Sequence, residues 1–265
     1  MPAIELEGVS IHYQASGPAS APTLVFSNSL GSDLRMWDKV VPFLEHDVRV
    51  LRYDNRGHGS SSTPALPWSM EMLAGDLLGL LNVLSIERAH LCGLSLGGMV
   101  GLWLGLHSPE RILRLVLANT AARIGSREMW ETRIATVKSQ GMAALARATI
   151  DRWLTPGYVQ QHPEEAEAIR SMVEQTPLEG YIGCCGVLRD TDLRGGLARI
   201  QAPCLVITGT HDPATPPVDG RLLESGLRNA RYLELDAAHL SAWERPAEFA
   251  EALRTFLFEE EQSNG

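Results

Sequence analysis

The residues that most clearly suggest catalytic chemistry lie at 93–98, where one serine stands among glycines in the order GLSLGG. A short apolar run at 90–92 precedes them, and residues 96–107 have the apolar spacing of a helix. In a turn from a strand into a helix, G-x-S-x-G spacing lifts the serine hydroxyl above the sheet edge, and the glycines leave room for neighbouring backbone. The pattern predicts Ser95 as a nucleophile. A glycine turn that serves only close packing is the alternative.

A serine hydroxyl becomes a strong nucleophile only when a base accepts its proton and a carboxylate orients that base. Two loops downstream of the serine supply these groups, and each follows an apolar run. The run 204–209 leads into a loop with Asp212, and the run 232–235 leads into a loop with His239. We therefore predict that Asp212 is the acid and that His239 is the base.

Other polar residues compete for these roles. His58 lies in a glycine-rich loop and is expected to hold that loop together by hydrogen bonds. His211 directly precedes the predicted acid, so its side chain is expected to point elsewhere. Asp219 and Asp236 are interpreted as helix-start or loop residues that cap the backbone. Asn119 ends the strand before residue 120, and because it is not an acid it cannot replace the predicted carboxylate.

Acyl transfer passes through a tetrahedral oxyanion, which two N–H donors must stabilise. The N–H of Leu96 is predicted to be the first donor because the residue after the nucleophile points its N–H into the site. The second donor is expected in the loop 28–32, which follows the apolar run 23–27. Our candidate there is the N–H of Leu30.

A parallel sheet would hold all of these residues at one edge. Residues 4–13 alternate like the arm of a hairpin, and unalternating apolar runs follow at 23–27, 48–53, 90–93, 113–118, 205–209 and 232–235. Strands buried on both faces have such runs. Helix-period segments between them, which supply the crossovers, lie at 70–84, 96–107 and 246–258. The fold class is therefore α/β, with a mostly parallel, doubly wound sheet that binds ligands at its carboxyl edge.

Residues 120–199 interrupt the alternation of strands and helices. They carry helical periodicity without a convincing strand, at 128–139, 142–153 and 164–174. Pro156 and Pro177 divide the segment into short helices. We predict that 120–199 is a helical cap over the carboxyl edge of the sheet, and that 1–119 and 200–265 form the core.

The composition is that of an ordinary folded protein, with 265 residues, of which 45% are hydrophobic and 21% are charged. The net charge of −9 argues against a nucleic acid or an anionic membrane as the main partner and favours small molecules. Four cysteines without C-x-x-C spacing predict reduced, buried thiols, and no metal or cofactor site is predicted. Because no leader-like segment and no long apolar run occurs, we expect a cytoplasmic protein. The oligomeric state stays open.

The chain resembles the α/β-hydrolases and, among them, the 3-oxoadipate enol-lactonases. The resemblance rests on 26–31 (FSNSLG), 36–37 (MW), 53–59 (YDNRGHG) and 93–98 (GLSLGG), and in the cap on 152–156 (RWLTP), 183–185 (GCC) and 189–190 (RD). The serine turn and the triad belong to the whole superfamily. The loop with Asn28 and Ser29, where many α/β-hydrolases have His-Gly, and the paired Cys184 and Cys185 are more specific. The resemblance implies that Ser95 opens a carboxymethyl enol-lactone ring through an acyl-enzyme, a step in the bacterial degradation of aromatic compounds.

The implied substrate carries a carboxylate, so a protein with net negative charge needs a local cation to bind it. Arg133 and Arg189 each follow helical spacing onto an apolar face of the cap, where a solvated charge is unusual. Either arginine could instead extend to solvent or pair with a nearby acid. Trp153 is a candidate for the pocket wall, with plain packing as its alternative.

Fold and triad alone do not determine the substrate. One alternative is another serine hydrolase on the same machinery, namely a carboxylesterase, a carbon–carbon bond hydrolase or a perhydrolase. A serine nucleophile excludes dehalogenases and epoxide hydrolases, which the family's aspartate variants would indicate. The alternative from a different class is a ligand-binding receptor that keeps the fold without sustained turnover.

Overall fold

The computed structural model describes residues 2–259 of the chain. Met1 and residues 260–265, which the sequence assigns to the two core segments, lie outside the described residues. The strands are β1 (Ala3–Leu6), β2 (Val9–Ser16), β3 (Thr23–Ser27), β4 (Arg49–Tyr53), β5 (Ala89–Leu94), β6 (Ile112–Ala118), β7 (Cys204–Gly209) and β8 (Ala230–Leu235). The helices are α1 (Met70–Val83), α2 (Leu96–His107), α3 (Arg127–Trp153), α4 (Pro156–Gln161), α5 (Pro163–Gln175), α6 (Leu178–Asp190), α7 (Pro217–Gly226), α8 (Ser241–Glu244) and α9 (Pro246–Phe258).

All eight strands of the described chain join in one sheet with the order β1-β2-β4-β3-β5-β6-β7-β8. The pairs β1·β2 and β2·β4 are antiparallel, and every later pair is parallel. Every residue of β3, β5 and β7 is buried, as their unalternating apolar sequences require. The predicted mostly parallel α/β sheet is therefore confirmed.

The crossover helices begin and end close to their predicted bounds. Ser69 caps α1, since its side chain accepts a hydrogen bond from the N–H of Met72. The helix ends at Val83, one residue before the predicted end, because Leu84 leaves the helical conformation. The bounds of α2 and α9 agree with the prediction.

The chain between β6 and β7 holds the helices α3, α4, α5 and α6. The predicted segments 128–139 and 142–153 are two arms of α3 that meet at Gly141, whose φ of 76° bends the helix. The helix α6 is absent from the prediction because its three glycines lower helical propensity. At one of these, Gly180, a Cβ atom would overlap the carbonyl oxygen of Gly57, so this glycine permits a close approach. The proposed cap boundaries, 120 and 199, stay a prediction.

Candidate active site

Ser95 stands between the end of β5 and the start of α2, in a strained turn. Its φ of 57° and ψ of −112° are unusual for a residue other than glycine. Its N–H donates to the carbonyl of Ala118 at 3.0 Å, and its carbonyl accepts from the hydroxyl of Thr120 at 2.7 Å. The backbone that carries Ser95 is therefore tied to β6 and the residues just after it.

The flanking glycines are required by close packing of the backbone. A Cβ atom on Gly93 would overlap the carbonyl oxygen of Gly97, and one on Gly97 would overlap the carbonyl oxygen of Ser27. The N–H of Gly97 also donates to the carbonyl of Asn28 at 3.1 Å, which ties the serine turn to the loop after β3. The spacing predicted from the sequence thus has a steric cause in the structure.

The loops after β7 and β8 bring Asp212 and His239 together. Nδ1 of His239 lies 2.8 Å from Oδ2 of Asp212, and both residues are buried. His239 and Ser95 line the same cavity. Because Nδ1–H donates to the carboxylate, Nε2 is the nitrogen with a lone pair, as a general base requires.

Five hydrogen bonds hold the Asp212 carboxylate. Oδ2 accepts from His239 Nδ1, from the hydroxyl of Thr215 at 2.8 Å and from Nδ2 of Asn119 at 3.0 Å. Oδ1 accepts from the N–H groups of Ala214 at 2.8 Å and Thr215 at 3.1 Å. Burial opposes ionisation, but the charge of His239 and these donors outweigh burial and lower the pKa of Asp212. Asp212 is therefore an ionised partner for the predicted base, His239.

Sequence reasoning missed the part that Asn119 plays beside this carboxylate. The hydroxyl of Ser241 donates to Oδ1 of Asn119 at 2.5 Å, so Nδ2 faces Asp212 and the carbonyl of Ala238. Asn119 is fully buried and has a φ of 43°. The signal available in the sequence was an asparagine directly after the predicted strand that became β6, because this edge of the sheet also carries Ser95 and Asp212.

The rival histidines lie elsewhere. Nε2 of His58 accepts the N–H of Gly31 at 3.0 Å, and Nδ1 contacts the carbonyl of Arg56 at 3.2 Å. Burial lowers the pKa of His58, so this imidazole is neutral and holds two loops together. His211 pairs with Asp236 at 2.9 Å on the surface.

The two predicted oxyanion donors have free N–H groups. In the part of the chain that the structure describes, no acceptor is hydrogen-bonded to the N–H of Leu30 or of Leu96. The neighbours of Leu30 are engaged, since Ser29 N–H contacts the sulfur of Met36 and Gly31 N–H is bound by a histidine. Leu30 also lines the cavity of Ser95. Of the N–H groups of Ser29, Leu30 and Gly31, that of Leu30 is left for a ligand, and its role as an oxyanion donor stays a prediction.

The cavity above Ser95 is closed by the helices between β6 and β7. Its volume of about 140 Å³ lies below the roughly 300 to 1,000 Å³ of sites for drug-sized ligands, so it suits a small molecule. Both arms of α3 contribute, the first through Arg133 and the second through Arg152 and Trp153. The Trp153 ring lies 6.1 Å from the His239 ring, centroid to centroid, which places it at the pocket wall.

Arg133 and Arg152 give this cavity a positive wall. Within residues 2–259, no carboxylate oxygen lies within 4 Å of either guanidinium, although most arginines of the chain are paired with acids. Arg133 stands over the Trp130 ring at 5.3 Å, and Arg152 donates to the hydroxyl of Thr149 at 3.2 Å. Burial, followed by the positive charge of Arg133, lowers the pKa of Arg152. Two unneutralised cations at one cavity are suited to an anion.

Arg189 does not reach this cavity. Its guanidinium forms two hydrogen bonds with Asp190, at 2.6 and 3.1 Å, and its side chain is partly exposed. Leu188 faces the cavity, and the next residue of α6 therefore points away from it. The expected substrate contact of Arg189 is corrected to an ion pair, and Arg152 is the second cavity arginine that the sequence analysis overlooked.

Cys92, Cys184, Cys185 and Cys204 are free and buried. No cluster of three or more metal-ligating side chains occurs in the described residues. None of the helices within 2–259 combines the length and apolarity that a bilayer crossing demands.

A family model described as the alpha/beta hydrolase fold matches residues 22–246. The chain belongs to this family. Among curated α/β-hydrolases, 3-oxoadipate enol-lactonase 2 of Acinetobacter baylyi is 39% identical over 251 residues, which cover 95% of this chain and 94% of that protein. The solved enol-lactonase of Burkholderia xenovorans LB400 is 45% identical, with a TM-score of 0.96 over 97% of this chain and 100% of the other. The resemblance to enol-lactonases is thus confirmed.

A further group of similar α/β-hydrolases has a different name. One protein of Pseudomonas syringae, named provisionally as the carbamate hydrolase RutD, is 32% identical over 255 residues, or 92% of this chain and 97% of its own length. The fold and the hydrolase type are therefore shared with proteins whose names indicate different substrates.

Proposed function

We propose that the protein is a carboxylic ester hydrolase that opens the ring of 3-oxoadipate enol-lactone to release 3-oxoadipate. The observation that carries this proposal is the cavity in which Ser95 and His239 face Arg133 and Arg152. A serine and a base supply acyl transfer, and unpaired arginines supply recognition of a carboxylate. The identities of 39% and 45% to proteins named as enol-lactonases support the same substrate. On this basis the reaction belongs to the bacterial degradation of aromatic compounds.

The first half-reaction forms an acyl-enzyme. Nε2 of His239 accepts the proton of the Ser95 hydroxyl while Oγ bonds to the lactone carbonyl carbon. The oxyanion that develops accepts hydrogen bonds from the N–H groups of Leu30 and Leu96, and Asp212 stabilises the imidazolium. When the ring C–O bond breaks, the oxygen leaves as an enolate. The His239 imidazolium gives the proton that came from Ser95 to this enolate, which becomes a ketone, so Nε2 is free again. Because an enolate is a good leaving group, cleavage of the C–O bond does not require this proton transfer to be far advanced.

The second half-reaction releases the acid. Nε2 of His239 takes a proton from water, and the water oxygen bonds to the acyl carbon. The Ser95 oxygen then leaves with the proton that the imidazolium returns, so the enzyme is regenerated and 3-oxoadipate is free. Arg133 and Arg152 bind the carboxymethyl carboxylate throughout, which holds the ester carbonyl over Ser95.

The test follows the loss of the ultraviolet absorbance of the enol-lactone with the purified protein, beside Ser95→Ala and beside p-nitrophenyl acetate. We expect lactone turnover far above ester turnover, and loss of both in the variant. Ester turnover without lactone turnover would keep the nucleophile and overturn the substrate. Binding of the lactone without turnover of either compound would favour a receptor.

The second candidate is another serine hydrolase on the same machinery, such as a carboxylesterase, a carbon–carbon bond hydrolase or a perhydrolase. The 32% identity to the RutD group is the observation that favours keeping a different substrate in the assay. An uncharged carbamate ester gains no ionic contact from Arg133 and Arg152, whereas the lactone carboxylate does. Preference for the neutral compound would therefore select this candidate.

A further inference from the structure

Two segments that are far apart in the sequence meet beside the predicted base, His239. One is the loop after β8 that carries His239, and the other is the junction where α3 ends and α4 begins. The N–H of Leu240 donates to the carbonyl of Trp153 at 2.9 Å, so the residue after the base is bonded to a wall residue of the cavity. The loop that carries His239 is therefore hydrogen-bonded to the helices inserted between β6 and β7.

A single carboxylate reinforces this junction from both sides. Oε1 of Glu244, in α8, accepts the N–H of Ala238 at 2.8 Å. Oε2 of the same side chain accepts the hydroxyl of Thr155 at 2.6 Å, and both oxygens lie 3.2 Å from the Thr155 N–H. Thr155 in turn caps α4 by accepting from the N–H of Tyr158. Glu244 thus connects the residue before the base to the first turn of a cap helix.

Glu244 does not belong to the catalytic cavity. It lines a separate surface cleft together with Thr155, Tyr158 and His211, whereas Trp153 and His239 line the cavity of Ser95. The carboxylate therefore acts from behind the base loop and has no route to the substrate. Any influence on the reaction must pass through the position of His239.

We propose that Glu244 is a positioning residue, whose carboxylate fixes the His239 loop against the start of α4. The inference rests on the proposed function for the role of His239 as base. The position of the imidazole depends on its hydrogen bond to Asp212 and on the position of its own backbone. Glu244 fixes that backbone through its hydrogen bond to the N–H of Ala238, the residue before His239. Displacement of a catalytic group by about 1 Å costs on the order of 100-fold in rate.

The main variant is Glu244→Ala, which leaves two N–H groups and one hydroxyl without their acceptor. We expect kcat to fall by roughly 10- to 100-fold, while KM changes by less than about threefold because the cavity walls that bind substrate remain. Glu244→Gln keeps the shape but turns one acceptor oxygen into an NH₂ donor that faces another donor. We expect it to lose activity in the same direction, by a smaller factor.

A matched control separates positioning of the base from anchoring of the cap. Glu165 of α5 accepts from Nζ of Lys39 at 2.6 Å and from Nε1 of Trp243 at 2.9 Å, so it also joins cap to core. It makes no hydrogen bond to the base loop among the described residues. Glu165→Gln is expected to lower Tm and to keep kcat within about twofold of the wild type.

A spectroscopic readout distinguishes positioning from stability alone. The proton shared by Nδ1 of His239 and Oδ2 of Asp212 is expected to give a downfield proton NMR signal. We expect this signal to broaden or shift in Glu244→Ala well below its Tm, and to stay unchanged in Glu165→Gln. If Glu244→Ala fails to fold, Thr155→Val removes the hydroxyl contact to Glu244 together with the cap of α4, keeps the bond of Glu244 to Ala238, and is expected to lower kcat severalfold.

Three results would overturn the proposal: unchanged kcat and NMR signal in folded Glu244→Ala, an equal loss of kcat in Glu165→Gln, or unchanged kcat in Thr155→Val where it is needed. Each variant is assayed with the lactone and with p-nitrophenyl acetate. If the wild type turns over only the ester, the proposed substrate fails, and the comparison of Glu244 with Glu165 proceeds on the ester.

Discussion

Replacement of Arg152 by methionine is the perturbation that best tests recognition of the substrate carboxylate. Arg152 and Arg133 line the cavity of Ser95, and neither has a carboxylate within 4 Å among residues 2–259. Methionine keeps the length and apolar stem of the side chain and removes the charge. The same change at Arg133 gives the partner variant, and Arg189→Met is the control, because Arg189 is paired with Asp190 outside the cavity.

The expected size of the effect follows from the bond that is lost. A hydrogen bond to a charged group contributes about 1.5 to 3 kcal/mol, which corresponds to a rise in KM of roughly 10- to 150-fold. Since one arginine remains in each single variant, we expect values near the lower end. Loss of both arginines is expected to exceed either single loss without being their sum, because the two cations share one anion.

In the protein without a ligand, loss of the Arg152 charge is expected to increase stability, although it weakens substrate binding. Burial and the charge of Arg133 lower the pKa of Arg152, so its charged form is disfavoured in the folded protein without a ligand. Arg152→Met is therefore expected to raise Tm, while 3-oxoadipate is expected to raise the Tm of the wild type and not of the double variant.

The assay measures kcat and KM for the lactone and for p-nitrophenyl acetate, which carries no carboxylate. KM for the lactone should rise in both single variants and stay near wild type in Arg189→Met, and KM for the ester should stay constant in all three. The reasoning is refuted if KM for the lactone is unchanged in both Arg133→Met and Arg152→Met. It is refuted equally if KM for the neutral ester rises by the same factor.

Three further predictions concern the serine turn and the acid. Gly97→Ala is expected to prevent accumulation of folded protein, as measured by soluble yield and circular dichroism, because its Cβ atom would overlap the carbonyl of Ser27. Asn119→Ala removes one of five bonds to Asp212 and is expected to lower kcat about tenfold at unchanged KM, since a bond to a charged group is lost. Because the pKa of Asp212 is lowered in the folded protein, this residue contributes stability above its unfolded pKa of about 4, which is lost as pH falls through the folded pKa. Urea titrations should show a smaller acid-side loss in Asp212→Asn, and equal pH slopes would contradict this.

The sequence predicts which edge of the sheet carries the candidate reacting groups because each of them follows the end of a strand. Ser95, Asp212 and His239 each follow an apolar run, and parallel strands bring their carboxyl ends to one edge whatever the details of packing. The strand positions themselves agree with the runs to within about two residues, apart from the first hairpin, whose alternation gave one arm where the structure has β1 and β2.

The remainder depends on tertiary contacts that periodicity does not record. Arg152 reaches the cavity because α3 bends at Gly141 and returns its second arm to the site, and a sequence pattern contains no bend angle. The helix α6 escapes detection because Gly180 serves a close approach to Gly57 at the expense of helical propensity. Asn119 differs from an acid by one atom, and only its partners show that it supports Asp212.

The predicted reacting groups lie at strand ends, whereas the cavity arginines lie in the segment between β6 and β7. This separation has an evolutionary consequence. Mutations in the first arm of α3, such as at Arg133, are expected to change which molecule is accepted while the predicted nucleophile, base and acid keep their positions at the sheet edge. The junction around Trp153 and Thr155 has no such freedom, because the loop of the base is bonded to it. Recombination of this insertion between relatives should therefore transfer substrate preference with activity intact only when the crossover preserves that three-residue junction.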